Sequence, residues 1–183
     1  MRATVKTLLF LLVSTAIGVT ETPQQLGAWS VYPANGNHNS KRIVMLQTTS
    51  EAQDRNAQGN PVQAKLDVIC QNGKLSAIAL EPSFTIKKSA ITFNGAVPLT
   101  QVVTIEEGQK HEYENWAVLD RGRTLSPYSE ALQGQLNRSW VERISGMKTV
   151  AFQLAATEGT DSPRPTFQTG ELTEALSSVG CKY

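Results

Sequence analysis

Two cysteines, Cys70 and Cys181, are the residues whose types could do the most specific chemistry in this 183-residue chain. A thiol can attack a substrate, bind a metal, carry a lipid or form a disulfide. A nucleophilic cysteine needs a base nearby, usually a histidine. The chain has two histidines, His38 and His111, and both lie in polar, turn-like stretches without ligand spacing. We therefore expect neither a catalytic cysteine, a metal site nor a cofactor.

The N-terminus indicates the compartment in which those thiols reside. Arg2 and Lys6 precede an uncharged apolar run at residues 8–19, with the small residues Ala16 and Gly18 placed as at a cleavage site. This order is typical of a secretory signal peptide, and the run is shorter than the roughly 20 apolar residues of a membrane span. We predict a signal peptide at residues 1–18 and one exported, β-rich domain at 19–183, periplasmic or secreted. The alternative is an uncleaved anchor helix.

Export suggests the role of the cysteines, because thiols oxidise outside the cytosol. The simplest prediction is a Cys70–Cys181 disulfide, joining residues 111 positions apart. Cys70 falls on the apolar face of an alternating strand, together with Leu66 and Val68. Such an inward position favours a structural bond over a reactive thiol. Intermolecular pairing and two free thiols are the remaining alternatives.

Carboxylates supply a second candidate chemistry. Glu112 and Glu114 are two residues apart on one predicted strand, so their side chains would share a face. Paired carboxylates can act as general acid and base. No second element organises them in the sequence, and charges on the wet side of an edge strand explain them more simply. A hydrolase is therefore the weakest of our hypotheses, and we predict no catalytic residues.

Charge argues against some partners. Removal of residues 1–18 leaves 15 basic side chains against 16 acidic ones. A nearly neutral domain lacks the basic surface that binds nucleic acid or anionic membranes. We expect a protein partner, no nucleic acid, and no membrane span after cleavage of the signal peptide.

Short segments of β-type composition dominate the chain between tight turns. Asn72-Gly73 is a strong two-residue hairpin signal, and residues 120–123 form a further turn. Residues 19–27 resemble a tail, and residues 50–61 and 158–165 are polar loops. The predicted strands are residues 27–33, 41–49, 62–70, 75–82, 83–95 (one strand, or two with a kink), 97–107, 110–120 and 147–157.

Two segments have helical periodicity. Residues 126–146 place Leu132, Leu136, Trp140 and Ile144 four apart and end at Gly146. A short C-terminal helix, capped by residue 169 or 170, would bring Cys181 to the sheet. The sequence predicts a mainly β fold, an antiparallel β-sandwich or partly open barrel with one mid-chain helix and a short C-terminal helix. We expect Trp29, Trp116 and Trp140 to lie in its core.

The order of features resembles the type VI secretion-associated VasI family of periplasmic proteins. The matching pieces are Trp29, LDVICQNGKLSAIAL with Cys70, ENWAVLD with Trp116, and GELTEALSSVGC with Cys181. The resemblance implies an accessory periplasmic role around a secretion apparatus, or a related domain used elsewhere in an envelope, and carries over no catalytic residue. We thus expect a non-enzymatic envelope protein that acts through protein contacts. The alternative is an exported inhibitor or immunity protein against a wall hydrolase such as lysozyme, with residues 50–61 or 158–165 inserted into the enzyme.

Overall fold

The computed structural model describes residues 22–34, 43–51, 63–84, 86, 91–95, 97–106, 109–129, 132–154 and 164–183, with the backbone alone for 33–34, 106, 110–113 and 154. The predicted signal peptide and His38 lie outside these residues, as does most of each segment predicted as a polar loop, 50–61 and 158–165. The strands are β1 Gln24–Leu26, β2 Trp29–Ala34, β3 Ile43–Thr49, β4 Ala64–Gln71, β5 Lys74–Pro82, β6 Thr92–Asn94, β7 Val97–Glu106, β8 Gln109–Leu119, β9 Thr124–Pro127, β10 Thr149–Leu154 and β11 Thr166–Gln168. The helices are α1 Gln133–Ser145 and α2 Leu172–Ser178, with a 3-10 turn at Asp120–Gly122.

All described strands belong to one antiparallel sheet. Its order is β1-β2-β3-β4-β5-β9-β8-β7-β10-β11, and β6 pairs with β7 beside this path. The sheet is not closed. The structure confirms the predicted fold class, which is mainly β and antiparallel with one mid-chain helix and one short C-terminal helix. The strands form a single open sheet.

The core lies on one face of this sheet because side chains alternate between the two faces of a strand. Alternate residues of β4, namely Ala64, Leu66, Val68 and Cys70, are buried together as predicted. Trp140, Val141 and Ile144 of α1 and Leu172 and Leu176 of α2 belong to the same buried cluster. The helices therefore complete a core that the sheet alone would leave open on that face.

Aromatic rings fill the centre of the core. The Trp116 ring centroid lies 5.0 Å from that of Trp140 and 5.5 Å from that of Phe152, in edge-to-face arrangements. Phe152 in turn packs edge-to-face on Phe167. Trp29 is also fully buried. The prediction that all three tryptophans pack in the core is confirmed.

A disulfide joins Cys70 to Cys181, with 5.9 Å between the two Cα atoms. It lies beside the β4–β5 hairpin, whose turn residues Asn72 and Gly73 both have positive φ, as a tight two-residue turn requires. After α2, the backbone N–H of Lys182 donates to Gly73 O, and the N–H of Leu75 donates to Lys182 O, each over 2.9 Å. The predicted disulfide and the predicted route of the C-terminal helix to the sheet are both confirmed.

Three short strands are absent from the sequence prediction. β1 lies in the segment predicted as a tail, and β11 lies just after a predicted loop. β9 begins before, and ends within, the predicted helix at residues 126–146. Each has three or four residues, too few for a period of two to be recognised. Each of them is fixed by pairing with neighbouring strands: β1 with β2, β9 with β5 and β8, and β11 with β10.

Other boundaries also differ. Within the predicted strand at 83–95, the described residues include β6, a β-bridge at Ile86 and a bend at residues 83 and 84. α1 begins at Gln133, so Leu132 precedes it and is 53% exposed. The N-cap of α2 is Glu171 rather than residue 169 or 170. Thr169 instead donates its hydroxyl to the backbone carbonyl of Met147.

We expect the double substitution Cys70→Ala/Cys181→Ala to lower the free energy of unfolding by about 2–5 kcal/mol, because it releases a long covalent loop in the unfolded chain. Urea denaturation under oxidising conditions measures the change. Reduction should destabilise the wild type by a similar amount and leave the variant unaffected. Equal midpoints for oxidised wild type and variant would contradict the expectation.

Two phenylalanines offer a matched comparison of packing. Phe152→Ala should cost about 3–5 kcal/mol because it opens a cavity among buried rings. Phe93, in β6, is 73% exposed, so Phe93→Ala should change the free energy of unfolding by less than about 0.5 kcal/mol. Denaturation curves of both variants test the pair, and similar losses in the two would refute the assigned core.

Candidate functional site: a cleft with a buried aspartate

A cleft of about 780 Å³ lies on the face of the sheet opposite the core. Its floor is formed by β3, β4 and β5, and one wall is the turn between β8 and β9. The floor includes Met45, Asp67, Ile69 and Ala79, and the wall includes Arg121 and the adjoining Thr124. The volume is within the range of about 300–1,000 Å³ that ligand sites occupy.

Strand register places one carboxyl group at the floor of this cleft. Leu66 and Val68 face the core, so Asp67 between them must face the other way. Its cross-strand neighbours are Gln47 in β3 and Ala79 in β5. The small side chain of Ala79 leaves space beside the carboxylate. Asp67 is therefore both a lining residue of the cleft and 2% exposed.

Asp67 has one hydrogen-bond partner among the described residues. The side-chain amide of Gln47 donates through Nε2 to Asp67 Oδ1 over 2.8 Å. Burial raises the pKa of Asp67 to about 7, because a charged carboxylate loses its hydration there. The Gln47 hydrogen bond and Lys65 lower this pKa, whereas the negative charge of Glu81 raises it further. The group consequently titrates near neutral pH.

The wall of the cleft has an unusual backbone. Asp120, Arg121 and Gly122 are consecutive residues with positive φ, of 45°, 57° and 88°. Residues other than glycine adopt this region at a cost of about 1–2 kcal/mol each. The turn is secured by antiparallel pairing of β8 with β9 and by the Arg123 N–H, which donates to Asp120 O. Such strain is concentrated at functional sites.

Charges of both signs surround the cleft. Lys65, Arg121 and Arg123 are cationic lining residues, and Glu81 and Asp120 are anionic ones in addition to Asp67. Lys65 and Glu81 lie directly opposite each other on β4 and β5. The opening of the cleft is therefore of mixed charge, while the floor holds a single acid.

The carboxylates suggested by the sequence lie elsewhere. Glu114 forms an ion pair with Arg143 of α1, with 3.1 Å between Glu114 Oε1 and Arg143 Nη1. The guanidinium carbon of Arg143 lies 3.8 Å from the Trp140 ring centroid. β8 pairs with β7 throughout much of its length but with β9 only from Trp116 onward. The expected edge-strand position thus applies only to the first part of β8. The side chains of His111 and Glu112 are outside the described residues.

A second, smaller cavity of about 280 Å³ adjoins the C-terminal end of the chain near the disulfide. Its basic lining residues are Lys74, Arg138 and Lys182. Arg138 forms an exposed ion pair with Glu142 on the same helix over 2.7 Å. The cavity thus presents surface cations, without a buried polar group at its base among the residues that the structure describes.

Among the described residues, no cluster of three or more His, Cys, Asp or Glu could hold a metal ion. Nor does this part of the chain contain a helix long and apolar enough to cross a membrane. Comparison of the chain with protein-family models, with curated proteins and with solved structures finds no match.

Asp67 was not among the candidate residues from the sequence, although a signal was present. Asp is depleted in strands, and here it interrupts the apolar run LDVIC. That interruption is compatible with an exposed charge on the wet face of a strand. The burial of Asp67 depends on Gln47 and Ala79, which strand register brings beside it.

We expect Asp67→Asn to stabilise the protein increasingly as pH rises from about 4 to about 7. The unfolded state releases the Asp67 proton near its ordinary pKa of 3.8, while the folded state retains it to about 7. Wild-type stability therefore falls across this window. Because one pKa unit equals about 1.4 kcal/mol, the gain at pH 8 over pH 4 should be on the order of 4 kcal/mol.

Urea denaturation at several pH values provides the measurement. An asparagine oxygen still accepts the Gln47 hydrogen bond, so the variant removes the charge while retaining that contact. Glu174→Gln, at an exposed position of α2, is the matched control and should show little pH-dependent gain. A pH-independent difference between wild type and Asp67→Asn would contradict the burial of a titrating acid.

Proposed function

We propose that the protein is an exported component of the cell envelope, periplasmic or secreted, that acts by binding another protein and has no catalytic role. The observation that carries the binding proposal is the cleft with Asp67 at its floor. A buried acid without a cationic partner lowers stability near neutral pH. Proteins tolerate such a cost at sites where a partner or ligand later compensates it.

Export is supported by the disulfide. Both cysteines are buried, and the bond between them spans 111 residues of sequence. Stable disulfides are typical of oxidising compartments. The basic start, apolar run and small-residue exit of residues 1–18 agree with this location.

The resemblance to the VasI family favours an accessory role around a secretion apparatus. Within that proposal, the disulfide-linked residues Cys70 and Cys181 serve the fold and the cleft supplies the contact surface. The inhibitor hypothesis rests on the loops at 50–61 and 158–165, which lie largely outside the described residues. It stays a prediction, and assays of wall hydrolases with added protein test it.

We expect the exported form to be cleaved after residue 18 and to contain the Cys70–Cys181 bond. Intact-mass measurement and non-reducing peptide mapping of fractionated cells check both points. Reduced cysteines in a full-length chain retained in the cytosol would overturn the proposed location.

Site-specific photo-crosslinking tests the proposed surface. A photoreactive amino acid replacing Arg121, which is exposed at the cleft, should yield a discrete crosslinked protein in envelope extracts. The same replacement at Arg138, exposed on α1 across the sheet, is the control and should not yield that product. Equal products from both positions, or none from Arg121, would contradict binding through the cleft.

A further inference from the structure

We propose that the cleft binds a basic side chain of the partner, whose ammonium or guanidinium group forms an ion pair with Asp67. This inference rests on the proposed function, since it concerns the same cleft, and it identifies the chemistry that the cleft recognises. The occupant would be an exposed lysine or arginine on a partner protein.

The first argument is the incomplete hydrogen bonding of the carboxyl group. A carboxylate has two oxygens and about four acceptor positions. Gln47 uses one position on Oδ1, and no other hydrogen bond to Asp67 is found within the described part of the chain. Since Asp67 lines the cleft and is 98% buried, a donor that enters the cleft can satisfy the second oxygen.

The second argument is the charge around Asp67. On β4 and β5 the neighbouring charged groups are Lys65 and Glu81, and β3 contributes uncharged Met45, Gln47 and Thr49 to this face. The turn contributes Asp120, Arg121 and Arg123. Lys65 is exposed and lies opposite Glu81, so it does not reside at the buried floor. Arg121 and Arg123 are exposed on the turn. At the floor, an incoming cation would neutralise Asp67 beside Glu81, whereas an anion would be repelled by both.

The third argument is shape. Met45, Ile69 and Ala79 on the floor, together with Phe84, give the cleft an apolar lining around Asp67. Long basic side chains pack their methylene stems on apolar surface and direct the charge to a polar group. The volume of about 780 Å³ accommodates one such side chain with parts of its flanking residues.

Binding of a cation should be coupled to loss of a proton. The ion pair requires ionised Asp67, and the pKa of this group is about 7 in the free protein. Affinity should therefore increase by about tenfold between pH 6 and pH 8, as the ionised fraction rises. The charged neighbours named above shift the midpoint of this dependence, and the increase with pH comes from Asp67 itself.

The test uses short capped peptides as probes, namely acetyl-Ala-Arg-Ala-amide and its lysine analogue. The matched uncharged probe replaces arginine with citrulline, which has nearly the same shape. NMR titration of the disulfide-bonded protein at low salt should show millimolar or tighter binding of both basic peptides. The citrulline peptide should bind at least tenfold more weakly.

Protein variants locate the effect. Asp67→Asn should weaken the basic peptides at least tenfold and abolish the pH dependence, while its folding is retained or improved. Glu174→Gln, away from the cleft, should bind within about twofold of wild type. Equal binding of the citrulline peptide, unchanged binding by Asp67→Asn, or no binding of either basic peptide would overturn the inference.

Failure here is distinguishable from failure of the proposed function. Crosslinking from position 121 together with no preference for basic peptides would retain protein binding and remove the cation specificity. Binding of basic peptides together with no crosslinked product would retain the specificity and remove the envelope partner.

Discussion

The alternation of side chains along β4 is the constraint on which the other features depend. Leu66, Val68 and Cys70 point to the core, and Asp67 points to the opposite face. A slip of one residue in register would exchange the two sets. The same strand therefore carries a covalent attachment for the C-terminus on one side and the floor of the cleft on the other. The hydrophobic requirement of the core thereby sets the position of the acid.

Long secondary-structure elements could be predicted from the sequence, whereas very short ones could not. The β4–β5 hairpin was recognisable because a strongly alternating strand precedes Asn72-Gly73, whose turn chemistry is local. β1, β9 and β11 were not recognisable, since three or four residues carry little periodic signal. β9 follows β8 directly through the turn at Asp120–Gly122, but it also pairs with β5, which is distant in sequence. Its conformation is a tertiary property rather than a local propensity.

The candidate site was less predictable than the fold for a related reason. Asp67 is visible in the sequence as an acid within an apolar run, but its burial requires Gln47, 20 residues earlier, and Ala79, 12 residues later. The turn at Asp120 and Arg121 completes the cleft from farther along the chain. The disulfide was predictable because its evidence, two cysteines and a predicted export signal, does not depend on register.

A stability cost at Asp67 and local strain at residues 120 and 121 occur in the same cleft. Both would be readily removed by substitution, with asparagine at the first and glycine at the others. The cleft is therefore locally unfavourable in two independent ways. The aromatic core, by contrast, is formed of fully buried, closely packed rings.

The disulfide also determines how the molecule would respond to mechanical force. Tension applied on either side of the bond passes through Cys70 and Cys181 and bypasses the 110 residues between them. β1, β2 and β3 would then extend first, while β5 to α2 would be shielded from the load. Under such tension the strands from β5 onward, including the strained turn, would be retained even when the N-terminal strands are pulled out.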